Sequence, residues 1–149
     1  MFYYGLDVHK RFIQVCRIDA GGKARKDFRI DATREAILRF AKTLGPEASV
    51  VLEATFHTWA IWTLWVPHCG RVVVANPMRV KAIAHARIKT DKVDAFTLAR
   101  LLRADFIPEV QMPDQETWAL RQRVSHRRLL VKQRTATKNT IHAVLLIYV

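Results

Sequence analysis

The stretch F-Y-Y-G-L-D-V, Phe2–Val8, decides the reading of the fold. It is apolar on both alternating faces until a carboxylate interrupts it at Asp7, the pattern of a strand covered on each side. A charge at that place is disfavoured in a strand and costly to bury without a cation or hydrogen bonds. Working outward, F-I-Q-V-C-R-I (Phe12–Ile18) reads as a second strand, Asp19-Ala-Gly-Gly as a turn, and Lys23–Ile30 as a weaker, more exposed third strand. These three make an antiparallel meander.

Asp31-Ala-Thr33 then opens a helix with Ile37, Leu38, Phe40, Ala41 and Leu44 as its apolar stripe, and Gly45-Pro46 ends it. Ser49–Ala54 is a short buried strand, His57–Trp65 an aromatic helix stopped by Pro67, and Arg71–Ala75 a further strand. Phe56, Trp59, Trp62 and Trp65 are spaced by three and read as core. Asn76 caps and Pro77 opens a helix running to about Arg87. The order β-β-β-α-β-α-β-α describes a layered α/β fold with a mixed sheet. From Thr90 the chain is helical through D-K-V-D-A-F-T-L-A-R-L-L-R, and after Asp114 it is helical to the end. The expected organisation is a domain over 1–104, a linker over 105–116 containing Pro108 and Pro113, and a basic helical extension over 117–149.

At 149 residues, half of them apolar, the chain can bury a real core. Its 25 Lys+Arg against 13 Asp+Glu give a net charge of +12, which favours a polyanionic partner. A membrane is the weaker option, because the apolar run Ala60–Val66 is far short of the ~20 residues needed to span a bilayer. The opening residues read as a strand rather than a secretory signal. Cys16 and Cys69 form neither a metal-spaced pair nor a disulfide framework, so a reducing cytoplasm is expected.

Acids in apolar surroundings are the candidates for chemistry. Glu53 follows Val50-Val51-Leu52, again at the carboxyl end of an apolar strand. If the strands of Asp7 and Glu53 are parallel neighbours, both side chains emerge at the sheet edge where open α/β folds bind ligands. Asp91 and Asp94 stand three apart on a helix and share a face. Four converging carboxylates repel one another unless divalent cations neutralise them, and an all-oxygen set suits Mg²⁺ or Mn²⁺. Two such ions can clamp a phosphodiester. Bland roles stay open at this point: strand-end polar residues for Asp7 and Glu53, and helix capping with dipole complementation for Asp91 and Asp94. His9 is either a partner of Asp7, a proton carrier or a structural residue.

At these residues the sequence resembles a known family. Y-G-L-D-V-H-K (Tyr4–Lys10), L-E-A-T (Leu52–Thr55), A-N-P-M-R-V-K (Ala75–Lys81) and K-T-D-K-V-D-A (Lys89–Ala95) occur in the order found in the amino-terminal domain of DEDD-type insertion-sequence transposases of the one-ten family. The likeness runs from about Tyr3 to Leu102, and I-H-A-V-L-L (Ile141–Leu146) resembles the end of that family's long helical insertion. The resemblance implies a RuvC-like ribonuclease-H fold and an acidic tetrad at Asp7, Glu53, Asp91 and Asp94. It further implies Mg²⁺ or Mn²⁺, metal-dependent DNA cleavage and strand exchange, and guidance by a structured RNA. This chain departs at Thr55-Phe56-His57, where a glycine is usual. Neither Ser49 nor Ser125 stands in the context of the family's proposed serine nucleophile, so the chain is expected to be the first portion of a longer protein whose carboxyl-terminal domain it lacks.

From Thr117 onward there are seven Lys/Arg and no acid. At 100° per residue Arg123, Arg127, Arg134 and Lys138 fall within an arc of about 60°, with Arg121, Arg128 and Lys132 roughly opposite. Basic residues on two sides suit a helix lying against nucleic acid. Val124, Val131, Ile141 and Leu145 form a broken apolar stripe that suggests pairing with a second copy. Lys10, Lys81, Lys89 and Lys92 surround the acidic motifs and are expected to steer phosphate. Two other classes remain: a nucleic-acid-binding or assembly module without catalysis, and a RuvC-like junction resolvase.

Overall fold

The computed structural model describes residues 1–84 and 90–148. These divide into two compact units, Met1–Gln111 and Met112–Val149. The first unit holds β1 (Phe2–Val8), β2 (Phe12–Asp19), β3 (Arg25–Asp31), α1 (Arg34–Ala41), β4 (Ala48–Glu53), α2 (Thr58–Trp65), β5 (Arg71–Ala75), α3 (Pro77–Ile83) and α4 (Asp91–Arg103). One sheet contains all five strands in the order β3-β2-β1-β4-β5. The first three are antiparallel, whereas β1 runs parallel to β4 and β4 parallel to β5. This is the layered α/β fold with a mixed sheet that the pattern of elements predicts, in the RuvC-like ribonuclease-H arrangement that the family resemblance implies.

Short polar side chains start α1, α3 and α4. The Thr33 hydroxyl accepts from the Ala36 amide, Asn76 Oδ1 from the amides of Met78 and Arg79, and the Thr90 hydroxyl from the Val93 amide. Of the helix expected to reach about Arg87, the structure gives Pro77–Ile83; Arg87 and Lys89 lie outside the described residues.

Each face of the sheet is covered. On one, Ala95, Leu98, Ala99 and Leu102 of α4 are buried against Cys16, Ile18, Val51, Val73 and Ala75. Each of the two leucines contributes roughly 1.5–3 kcal/mol by leaving water. Gly5 permits the close approach: a Cβ there would lie 2.0 Å from the Ala95 carbonyl oxygen and 2.6 Å from the Ala99 nitrogen. On the other face Phe40 of α1 is the hub of an edge-to-face aromatic group, its ring 5.3 Å from Phe28, 5.5 Å from Trp65 and 6.1 Å from Tyr4.

The stretch expected as a linker begins by returning to the sheet. Glu109 bridges Ala75 in antiparallel sense, the Asn76 amide donates to the Pro108 carbonyl, and the Val110 amide donates to the Val74 carbonyl. Arg71 holds the same segment by pairing with Asp105, at 2.8 Å, and with Glu109.

The second unit is dominated by α5 (Gln115–Leu145), begun by Asp114, whose carboxylate accepts from the Thr117 amide at 2.7 Å. No residue of α5 is buried. No described helix is long and apolar enough to cross a membrane.

Candidate functional site

Strand register assembles the site. Asp7 of β1 stands opposite Gln14 of β2, and Gln14 stands opposite Arg29 of β3. Leu6 lies beside Leu52 of β4 in parallel register, which puts Glu53 one step on, at the level of Asp7. Directly opposed residues share a face, so Arg29, Gln14, Asp7 and Glu53 form a polar row across the carboxyl end of β1, on the side of the sheet that α4 covers. The loop after Glu53 is tied by buried Thr58, whose hydroxyl donates to the Glu53 carbonyl at 3.0 Å and accepts from the Thr55 amide at 2.6 Å. That hydroxyl closes the turn through Thr55-Phe56-His57.

Asp7, Glu53 and Asp94 line one cleft of about 190 Å³, together with Lys81 from α3 and Thr97 from α4. Asp91 stands at the site through another contact. Oxygens of Asp7 and Asp91 flank a single imidazole nitrogen, His9 Nε2, at 2.9 and 3.5 Å. One ligand-capable atom from each of Asp7, His9 and Asp91 lies within 4.8 Å of the others. The Asp91 carboxylate also accepts from Arg29 Nη2 at 3.3 Å. Arg29 is held in turn, because its Nε donates to Gln14 Oε1 at 2.9 Å and its guanidinium lies 4.2 Å from the centre of the Phe12 ring. Gln14 is 1% exposed and donates to the Phe28 carbonyl at 3.1 Å. The Phe12 ring meets His9 as well, with centroids 4.6 Å apart.

Burial pushes the Asp7 carboxyl above its ordinary range; the nearby charges of Asp94 and Asp91 push the same way, and His9 opposes them by charge and hydrogen bond. A half-buried acid facing further carboxylates invites a cation. The donors are hard oxygens, with one imidazole at the margin, which fits a small divalent ion.

Lys81 is the expected basic residue that lines the acidic cleft. Lys10 is exposed in the β1–β2 turn, Lys92 lies in the first turn of α4, and Arg121, Arg123, Arg127, Arg128, Arg134 and Lys138 are exposed on α5. Lys89 lies outside the described residues. Three of the four aromatics expected as core are not buried: Trp59 and Trp62 are half-buried on α2, and Phe56 is 89% exposed, because α2 begins only at Thr58 and Phe56 sits in the loop before it. Trp65, on the helix proper, is fully buried. Sequence reasoning missed Arg29, Gln14 and Phe12 as parts of the site. A glutamine inside the apolar run Phe12–Ile18 was the available signal.

A family model described as a transposase, of the DEDD type of the one-ten insertion sequences, matches residues 4–149. The chain is also 36% identical over 95 residues to the pilin gene-inverting proteins of Moraxella lacunata and Moraxella bovis. Those matches cover 58% of this chain and 29% of each relative, so the chain spans less than a third of the length of the curated proteins it resembles.

Proposed function

The chain belongs to the DEDD-type transposase family, and from that premise we propose that its first unit is the divalent-metal-dependent centre for DNA cleavage and strand exchange. The observation that carries this reading is the cleft shared by Asp7, Glu53 and Asp94, with Asp91 joined to Asp7 through His9. Asp7, Glu53, Asp91 and Asp94 would hold Mg²⁺ or Mn²⁺. Such a cation, when bound, supplies positive charge to the attacking and leaving oxygens of a phosphodiester. His9 orients Asp7, and Arg29 fixes Asp91. Lys81 offers its ammonium to a phosphate entering the cleft. The basic residues of α5, with Lys10, Lys89 and Lys92, hold the nucleic-acid backbone. A structured guide RNA and self-association through α5 belong to the same proposal, the latter supported by a helix of 31 residues with none buried.

Thermal unfolding with and without Mg²⁺ or Mn²⁺ tests the reading. At a hundredfold excess over Kd a ligand stabilises by about 2.7 kcal/mol, or roughly 5–10 °C in Tm for a domain of this size. The expected result is a shift of that order which Asp7→Asn and Asp94→Asn each remove. No shift in the parent chain would leave the acids as helix caps and strand ends in a binding module. Unaided cutting of branched DNA would favour the resolvase.

A further inference from the structure

A second cavity opens on the opposite side of β1 from the acids. Successive strand residues point to opposite faces, so Asp7 turns to the α4 side while Val8 turns to the side covered by α1 and α2. There Val8, Ile37, Ile61 and Leu64 wall a cavity of about 230 Å³. Its ionisable lining consists of His9, Lys10, Arg34 and His57; no carboxylate is among its lining residues, although Asp31 and Glu35 are near in sequence. The volume lies under the ~300–1,000 Å³ of sites for drug-sized ligands, which suits one flat ring system. Apolar walls below a cationic rim match a group with an uncharged body and an anionic attachment.

We propose that this cavity receives the base of a single unpaired nucleotide of the DNA strand, with Lys10 and Arg34 on its phosphate. Nearness to the acids selects DNA as the occupant: His9 lines the cavity, and its Nε2 lies 2.9 Å from Asp7 and 3.5 Å from Asp91. A base seated there places its own backbone at the acids and so fixes which phosphodiester is presented. Extruding a base costs least where the strand is already unpaired, so the cavity selects single-stranded or junction-proximal nucleotides. This inference rests on the metal-centre reading for its location, and on nothing in that reading for its binding.

The test uses a single-stranded oligonucleotide carrying one 2-aminopurine, mixed with the chain in EDTA. Fluorescence is expected to rise as the base leaves its stacked neighbours. Ala60 is exposed on α2 at the cavity rim, and Ala60→Leu puts a larger side chain there without touching the core. That variant should lose the rise and bind about tenfold more weakly, a loss of about 1.4 kcal/mol. Arg34→Ala, also at an exposed position, should weaken binding and reduce the log–log salt slope by about 0.7. Circular dichroism checks that both variants fold. An unchanged rise and affinity in folded Ala60→Leu, with the Mn²⁺ shift intact, would overturn the cavity inference and leave the metal centre standing. Loss of the Mn²⁺ shift in the parent with the fluorescence pattern intact would do the reverse. A larger rise with RNA of the same sequence would overturn the assignment to DNA.

Discussion

Asp7 is half withdrawn from water among other acids, and the consequence can be read in its proton affinity. A carboxyl raised on folding binds its proton more tightly in the native than in the unfolded chain. Stability therefore declines as pH climbs from the unfolded value through the raised native one, and the whole cost is present at neutral pH. In chelator at pH 7, Asp7→Asn is expected to raise Tm, and the gain should vanish near pH 3, where both forms are uncharged. A scan of Tm against pH for the two proteins checks the sign. Arg29 makes a separate case. Removing its guanidinium leaves Gln14 Oε1, in a side chain 1% exposed, without its donor. Arg29→Ala is thus expected to cost about 1 kcal/mol, read from urea unfolding.

At the level of elements, the helix α4 and the strand β1 carry three of the four acids and meet backbone to backbone at Gly5. A methyl group there has nowhere to go except by lifting α4. Gly5→Ala is expected to destabilise by roughly 1–3 kcal/mol and to weaken the metal-induced Tm shift along with it. Both elements were legible in the sequence, β1 from an apolar run interrupted only at Asp7 and α4 from the helix start at Thr90. The convergence of Asp7 with Glu53 was readable as a condition, that β1 and β4 be parallel neighbours. Arg29 was not readable. Its importance depends on a register that places it two strands away from Asp7 on the same face, and one of three basic residues on an exposed strand gives no sign of that. The aromatic spacing misled for a related reason: Phe56 precedes the start of α2, and the helix buries Thr58, Ile61 and Trp65 rather than Trp59 and Trp62.

On the scale of the whole chain, charge decides behaviour. Along α5, Val124, Val131 and Leu145 recur at intervals of seven or its multiple, but Lys138 occupies the missing step, and Arg127 and Arg134 sit on the adjoining row. Two copies joined along that seam bring like charges together, which salt or a polyanion must relieve. Light scattering is therefore expected to show the chain associating more strongly with an oligonucleotide, or at higher ionic strength, than in dilute buffer. Val131→Lys should abolish that association. The segment laid along β5 by Glu109 and Val110 has a consequence for how this protein can be cut. Without it, β5 would present a bare row of amides and carbonyls, a template for strand addition by a neighbour. A chain stopped at residue 104 is expected to aggregate on purification, whereas one stopped at residue 111 should stay dispersed, so those seven residues act as a hem that keeps the fabric from fraying.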